Sequence, residues 1–434
     1  MSAALRSFEA QFQQRPGDAL DARRDAAMQR LLELGLPTLR DESWRYTNLR
    51  AVQAQRYAAA EPAGPAVTSP DPAAAAWLTD GGRIPAVVLV DGRLQDRPAA
   101  LPAGLRIQSL RDVAARDPGR IERHFATPGD TDLRRWELLN TALFSDGLLI
   151  EVDGGEELAL CVVHRSEAHA VNTAVHPRII VELAANARAT LIEHYLDAGT
   201  GSSLCNSCTQ VSVGAGARLE HYRVFAAGAG AVQFDSLALV QDPDSSCRLF
   251  TIALGGQLLR TALDARLAGN GAALESHALL VGSGERHVDC AAVVTHAAPA
   301  TRSRQSARAI ASGTSRVITN SKVIVAPGAM HADSQQSLRG MLLSPTAEID
   351  TRPQLEIHTD EVRCAHGATT GRLDREMYFY LLSRGIDRDT AQSLLVFAFL
   401  GDVLAGMTQD AARAAIEASL ITQLPDADRL KEFR

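Results

Sequence analysis

Cys364 and His366 stand two residues apart in the segment Glu356-Ile-His358-Thr-Asp360-Glu-Val-Arg-Cys364-Ala-His366. On an extended chain, residues two apart project from one face. A thiolate and an imidazole would then lie side by side, a pair suited to iron, zinc or a sulfur-bearing intermediate. Asp360 and His358 share that parity if the strand stays regular. Two groups do not fill a coordination sphere, so a site here needs ligands from another strand or another chain. The plainer reading is a buried cysteine beside a hydrogen-bonded histidine.

Other candidate chemistry is weaker. Cys205-Asn-Ser-Cys208 has metal-like spacing but no second such pair. On a strand, residues three apart face opposite sides and cannot chelate one ion. His287-Val-Asp-Cys290 fails in the same way. The chain has no Gly-Lys dipeptide, so no phosphate-binding P-loop is present. Lysine occurs only at Lys322 and Lys431. Glu193-His194 and Glu220-His221 could suggest carbohydrate chemistry, which needs two carboxylates flanking one bond. Their recurrence reads instead as a structural ladder.

The elements that must position these residues change along the 434-residue chain. Apolar spacing predicts helices over Ala3 to Gln13 and Asp21 to Leu34, stopped by Gly35 and Pro37. Ala51 to Ala76 reads as a linker, Ile84 to Val90 as a strand, and Arg111 to Phe144 as mainly helical around Trp136 and Leu139. From Leu148 to about Arg363 short β-rich segments alternate with turn residues. Leu148 to Val152, Ala159 to His164, Ile179 to Leu183, Thr190 to Tyr195 and Val288 to Val294 are strand candidates. Similar stretches around Glu193, Glu220 and Glu275 are spaced by 27 and 55 residues. Such a period in β-rich sequence indicates a β-solenoid, in which stacked coils bury a column that one coil alone cannot. A β-sandwich is the alternative. After about Gly367 the pattern turns helical. Asp374 is placed to cap a helix from Arg375 to Arg384, and a second follows Asp387 with Leu394, Leu395, Ala398, Phe399 and Val403 on one face. A third covers Asp410 to Leu420. The run Met377 to Leu382 is too apolar for one buried helix face and suits either a partner or the solenoid end.

The composition is that of an ordinary globular protein, 46% hydrophobic and 22% charged, with a net charge of −7. Nothing in it points to nucleic acid or an anionic membrane. The six cysteines are scattered, and the first residues do not read as a secretion signal, so a reducing cytoplasm is expected.

Several ordered motifs resemble the SufB/SufD family of iron–sulfur cluster assembly proteins. They are Glu42-Ser-Trp44-Arg45-Tyr46-Thr47-Asn-Leu49, Ala326-Pro-Gly-Ala-Met-His-Ala-Asp333-Ser334-Gln335-Gln336, Leu342-Leu343-Ser344, Cys364-Ala-His366-Gly-Ala-Thr369 and Phe379-Tyr-Leu-Leu-Ser-Arg-Gly-Ile386. The Cys-x-His-Gly form and the helical amino terminus with Trp44 resemble the SufD branch. The resemblance implies a right-handed parallel β-helix core over residues 146–366. It would lie between a mainly helical domain, 1–145, and a helical domain, 367–434, that docks an ABC-type ATPase. It implies a non-catalytic scaffold that pairs with a SufB-like paralogue and binds SufC, the ATPase, or forms a homodimer when alone. It implies His366 as a ligand to iron or a nascent cluster at the subunit interface, with Cys364 beside it, and Phe379, Tyr380 and Arg384 in the docking region. No tightly bound cofactor is expected in the isolated chain. The rivals are a free-standing homodimeric metal-binding protein and a carbohydrate-active β-helix enzyme.

Overall fold

The computed structural model describes residues 1–60, 83–125, 133–167, 172–197 and 203–423. Part of the expected linker, residues 61–76, lies outside them. Its earlier part contains a helix, Arg50–Ala54, and a short strand, Ala58–Ala59, paired with Thr173–Val175. No helix among the described residues is long and apolar enough to cross a membrane.

The core is a parallel β-solenoid of two facing sheets, as expected. One sheet runs from Gly147–Val152 through alternate strands to Arg316–Val325 and Glu348–Ile357. The other runs from Leu158–Ser166 to Asp333–Leu342 and Arg363–Arg372. Successive coils stack without a register shift. The inward column Ala189, Leu219, Cys247, Leu274, Ser303, Ser334, Cys364 advances by 30, 28, 27, 29, 31 and 30 residues. A matching column of left-handed residues shapes one turn: Asn186, Gly216, Asp244, Gly271, Ala300, His331 and Glu361. From Asn186 to His331, each backbone N–H in this column donates to the same turn of the next coil, as from Asn186 to Ala215 at 2.8 Å. Gly271 is required twice, because its φ is +72° and a Cβ there would meet the Asp244 carboxylate at 2.5 Å.

This register corrects the repeat expected from the sequence. The 55-residue step is real, since Glu220, Arg248 and Glu275 form one column. The 27-residue step is not: Glu193 pairs with Arg223, and Glu220 with Thr190. An offset of three reverses the face. Glu193 therefore points into the lumen, fully buried, whereas Glu220 lies on the outer surface and accepts from the Tyr222 hydroxyl. The two glutamates form no ladder.

The two ends of the solenoid differ. At the amino-terminal end, Ala86–Val90 and Leu105–Ser109 extend the sheets, and antiparallel pairing finishes them. The first part of the chain thus contributes strands as well as helices. At the other end, Glu348–Ile357 and Arg363–Arg372 are the outermost strands, with no further strand beyond them among the described residues. The last strand ends at Arg372, so the change to helix comes later than residue 366.

Helices cover the outer faces. α1 (Ala3–Gln14) and α2 (Asp21–Leu34) precede α3 (Arg50–Ala54), α4 (Leu110–Arg116), α5 (Pro118–Glu122) and α6 (Arg135–Leu143). Phe8, Met28, Leu31 and Trp136 from this group pack with Phe234 and Leu258 of the first sheet. α7 (Arg375–Ser383), α8 (Arg388–Leu404) and α9 (Asp410–Ile421) follow the solenoid. α8 lies on the second sheet through Val396, Leu400, Val403 and Leu404, against Phe250, Leu279 and Ile310. Its buried face is thus rotated from the expected one, and of the expected residues only Val403 is fully buried.

The amino-terminal motif clasps the last coils from outside. Trp44 is buried, with the Arg260 guanidinium 3.9 Å from its ring centre. Arg260 and the Thr47 hydroxyl both bind Asp289, and Glu42 binds Arg352 on the outermost strand of the first sheet. Trp44→Ala removes the ring that packs this clasp. We expect a loss of about 3–5 kcal/mol in urea unfolding, with faster hydrogen exchange over residues 348–357.

Inside the lumen a charged cluster joins the two sheets. Arg223 makes two hydrogen bonds to Asp235 across the lumen, at 2.6 and 2.7 Å, and one to Glu193 at 3.2 Å. Glu193 also accepts from Tyr195 at 2.6 Å and Thr209 at 3.0 Å, and meets His221 at 2.7 Å. Burial opposes its ionised form, but the Arg223 charge and the histidine hydrogen bonds hold its carboxyl well below the usual range. Arg223→Met strands two buried carboxylates and should cost about 3–5 kcal/mol by chemical denaturation.

Buried histidines add an acid sensitivity. Burial depresses His176 and His194 to about 3 and His296 to about 4. The folded chain therefore resists protons that the unfolded chain takes up below about 6.5. Stability is full above that pH and falls as pH drops toward 4, by up to about 2 kcal/mol per histidine at pH 5. Urea midpoints at pH 7 and pH 5 should show this loss, and His296→Asn should reduce it.

Candidate functional site

Cys364 and His366 lie on the outermost strand, Arg363–Arg372, where the solenoid ends. Inner parity continues from the preceding coil, since Ser334 pairs with Cys364 and Gln336 with His366. Both side chains thus share the lumen-facing side, as expected. Cys364 is half-buried against the apolar lumen, and His366 is exposed. The expectation for His358 and Asp360 fails. The first sheet's strand ends at Ile357, the second sheet's begins at Arg363, and Glu361 between them is left-handed. His358 and Asp360 belong to this turn, and His358 contacts the Glu356 carboxylate at 2.8 Å.

Three inner rungs lead to the site. Ser303-x-Gln305, Ser334-x-Gln336 and Cys364-x-His366 stack in register. The His296 imidazole contacts the Ser303 hydroxyl at 2.8 Å, and Ser303 contacts Ser334 at 2.9 Å. Thr301 donates to the Ala298 carbonyl, so it accepts from His296 Nδ1 at 2.9 Å. His296 Nε2 is then the acceptor for Ser303. In the second column, Gln336 Nε2 donates to the Ser321 carbonyl at 3.0 Å and hydroxyl at 2.9 Å, and Ser321 donates to Gln305 at 2.5 Å. Ser334 and Gln336 stand in the family motif read from the sequence but were given no role, and Ser303, Gln305 and Ser321 were not singled out. Their signal was available as polar residues of one parity, repeated at the spacing that leads to Cys364 and His366.

The lumen therefore carries polar columns beside an apolar one that runs its whole length. Early rungs are apolar, with Leu158 and Leu160 below Ala189 and Leu191. The Arg223 cluster lies among these early coils, since Glu193 shares a strand with Ala189 and Leu191, and the last coils set the Ser and Gln columns beside apolar inner residues such as Val323, Val325 and Leu338. Burial raises the Cys364 thiol above its ordinary value, opposed by a hydrogen bond from the Ser334 backbone and aided by the Asp333 charge. A soft cation that displaces its proton would bind it more strongly as pH rises. Among the described residues, no group of three or more His, Cys, Asp or Glu converges to hold a metal ion. The pair could supply a thiolate and an imidazole, and nothing among the described residues completes the sphere.

The other two cysteine motifs do not assemble. Cys205 and Cys208 lie on one strand, Ser203–Val213, where their spacing of three turns them to opposite faces. Burial pushes the Cys208 thiol to about 12. His287 lies on the outer face beside Thr47 at 3.0 Å, whereas Cys290 packs within the lumen.

Phe379 and Tyr380 lie on α7, which follows the last strand in the chain, and Arg384 ends it. The Asp374 carboxylate accepts from the backbone N–H of Glu376 and Met377 and starts α7. α7 buries none of its residues. Phe379 is 71% exposed and Tyr380 56%, and the Arg384 guanidinium sits 5.2 Å from the Tyr380 ring centre. An apolar helix face left in solvent is a marker of a docking surface.

Comparison with known proteins agrees with this architecture. Residues 164–399 match the family described as SUF system FeS cluster assembly, SufBD core domain, and residues 5–162 match the SufBD protein N-terminal region. The chain is 29% identical over 411 residues to the iron-sulfur cluster assembly protein SufD of Escherichia coli, covering 93% of this chain and 92% of that protein. It is 27% identical over 400 residues to an iron-sulfur cluster assembly SufBD family protein of Synechocystis, covering 88% and 86%. SufD of Bacillus subtilis is 23% identical over 310 residues, covering 69% and 70%. With both halves of the chain matched and the solenoid that joins them in place, this chain belongs to the SufB/SufD family of the SUF iron–sulfur cluster assembly system.

Proposed function

We propose that this chain is the SufD-type scaffold subunit of an iron–sulfur cluster assembly complex. It pairs through its open solenoid end with a SufB-like paralogue, and it docks a SufC-type ATPase through the face of α7. The observation that carries this reading is the open end itself. Among the described residues the two outermost strands have unpaired edges, Cys364 and His366 sit on one of them facing the lumen, and those two groups cannot hold iron alone. A second solenoid end, stacked on the first, would satisfy the edges and supply the missing ligands. Iron and sulfide are the cargo. His366 offers a neutral imidazole and Cys364 a thiolate once its proton is displaced.

The ATPase acts mechanically in this reading. ATP binding draws two SufC copies together, and the docked α7 transmits their movement to the solenoids. The interface opens, so iron and sulfide reach the ligands, and it closes around the product. The sequence offers no P-loop for this chain to perform the ATP step itself. The isolated chain uses the same open end to form a homodimer.

Co-expression with a SufB-like and a SufC-type protein tests the assembly. The expected result is co-purification of all three. Phe379→Ser with Tyr380→Ser should lose the ATPase and keep the paralogue. His366→Ala should leave the complex intact and lower anaerobic cluster yield at least about tenfold. A chain that purifies without either partner overturns the scaffold reading. An intact complex with normal cluster yield overturns the ligand role of His366.

A further inference from the structure

Gln336 is buried at 3% exposure, one rung inside His366. Its carboxamide orientation is fixed by chemistry. The Ser321 carbonyl can only accept, and it lies 3.0 Å from the amide nitrogen, so the nitrogen must face it. Ser321 is itself oriented, because its hydroxyl donates to Gln305. Gln336 Oε1 is then forced to the other side. It is buried and has no hydrogen-bond partner among the described residues. A buried carbonyl oxygen left unpaired is costly, so its presence calls for a donor.

The column decides which donor. It runs Leu191, His221, Leu249, Ser276, Gln305, Gln336, His366, and no strand follows among the described residues. In-register side chains on neighbouring strands stand about 4.8 Å apart. His366 is thus the next side chain beyond Gln336 and carries a ring N–H. His366 is exposed and makes no hydrogen bond to Gln336 in this structure. Nδ1 is the ring nitrogen nearer the backbone, so a side-chain rotation that turns the ring onto the rung beneath offers Nδ1–H to Oε1 and leaves Nε2 toward the open end.

We propose that Gln336 is the positioning residue for His366: its Oε1 accepts from His366 Nδ1–H and so leaves Nε2 as the free lone pair presented to iron. Metal-binding histidines are commonly held this way, since a hydrogen bond at one nitrogen fixes the tautomer and orients the ring. Ser321 and Gln305 act behind it as the anchor that keeps Oε1 pointed outward. The proposal rests on the reading of His366 as an iron ligand, but its first test does not.

That test uses the full-length chain alone, labelled with 15N-histidine, with His366 assigned by its loss in His366→Ala. Long-range proton–nitrogen spectra report the tautomer directly. The wild type should show His366 as the Nδ1–H form. Gln336→Met and Gln336→Leu should return it to the Nε2–H form of a free imidazole, while Gln336→Glu, which keeps an acceptor, should restore Nδ1–H. The same tautomer in the wild type and in both apolar variants overturns the proposal. In the reconstituted complex, the apolar variants should weaken ferrous iron binding by about 10–100-fold. A tautomer shift with unchanged iron binding would instead overturn the ligand role of His366 and leave the orientation by Gln336 standing.

Discussion

Register-true parallel stacking is the constraint on which the rest of this structure depends. Each coil hands its inner and outer parity to the next, so the lumen is built from continuous columns. The hydrogen bonds come evenly from every strand and carry no information about which side chain belongs where. The columns supply that information. An odd slip anywhere would turn Val162, Glu193, Arg223 and every later inner residue outward together. The left-handed turn column guards against such a slip, because it fixes where each coil bends. Coils of 27 to 31 residues then differ only in their loops, and the strands stay aligned.

The charged cluster in the lumen fits the same constraint. Burying Arg223, Glu193 and Asp235 costs several kcal/mol per ion before any attraction is counted. Apolar residues of equal volume would fill that space at lower cost. What the ions add is direction: a bidentate guanidinium reaches Asp235 in one geometry only, and it ties a strand of one sheet to a strand of the other. Few apolar contacts discriminate among neighbouring rungs so sharply.

Much of this was legible in the sequence, and the failures have physical causes. The solenoid was readable because turn residues and short apolar alternations recur. The parity of Cys364 and His366 was readable because parity is local. The register was not, because it depends on loop lengths that vary by a few residues from coil to coil. That is why Glu193 and Glu220 were aligned although they face opposite sides. His358 was assigned to the same strand as Cys364 because nothing in Thr359-Asp360-Glu361 breaks an extended pattern by composition. The break comes from a left-handed glutamate, which stacks in a turn column invisible in one coil. The buried face of α8 was misjudged for a related reason. Most of its length is apolar, so the face chosen is set by the sheet beneath, through Phe250, Leu279 and Ile310, and not by its own periodicity.

The incompleteness of the site follows from its place in the fold. A ligand in mid-solenoid has a rung above and a rung below, and its neighbours close around it. At the open end, Cys364 and His366 have the rung below and, among the described residues, no rung above. The rung below is well ordered: Ser334 under the sulfur, Gln336 under the imidazole, each tied to a further inner group. Among the described residues, the same lack of a next coil that leaves two strand edges unpaired also leaves these two side chains facing the end. Stability and function therefore ask for the same thing, a second surface on that end. A capping helix or an antiparallel strand, as at the amino-terminal end, would satisfy the edges and bury Cys364 and His366 for good. In the proposed complex, a partner that can separate would satisfy the edges and still admit iron and sulfide.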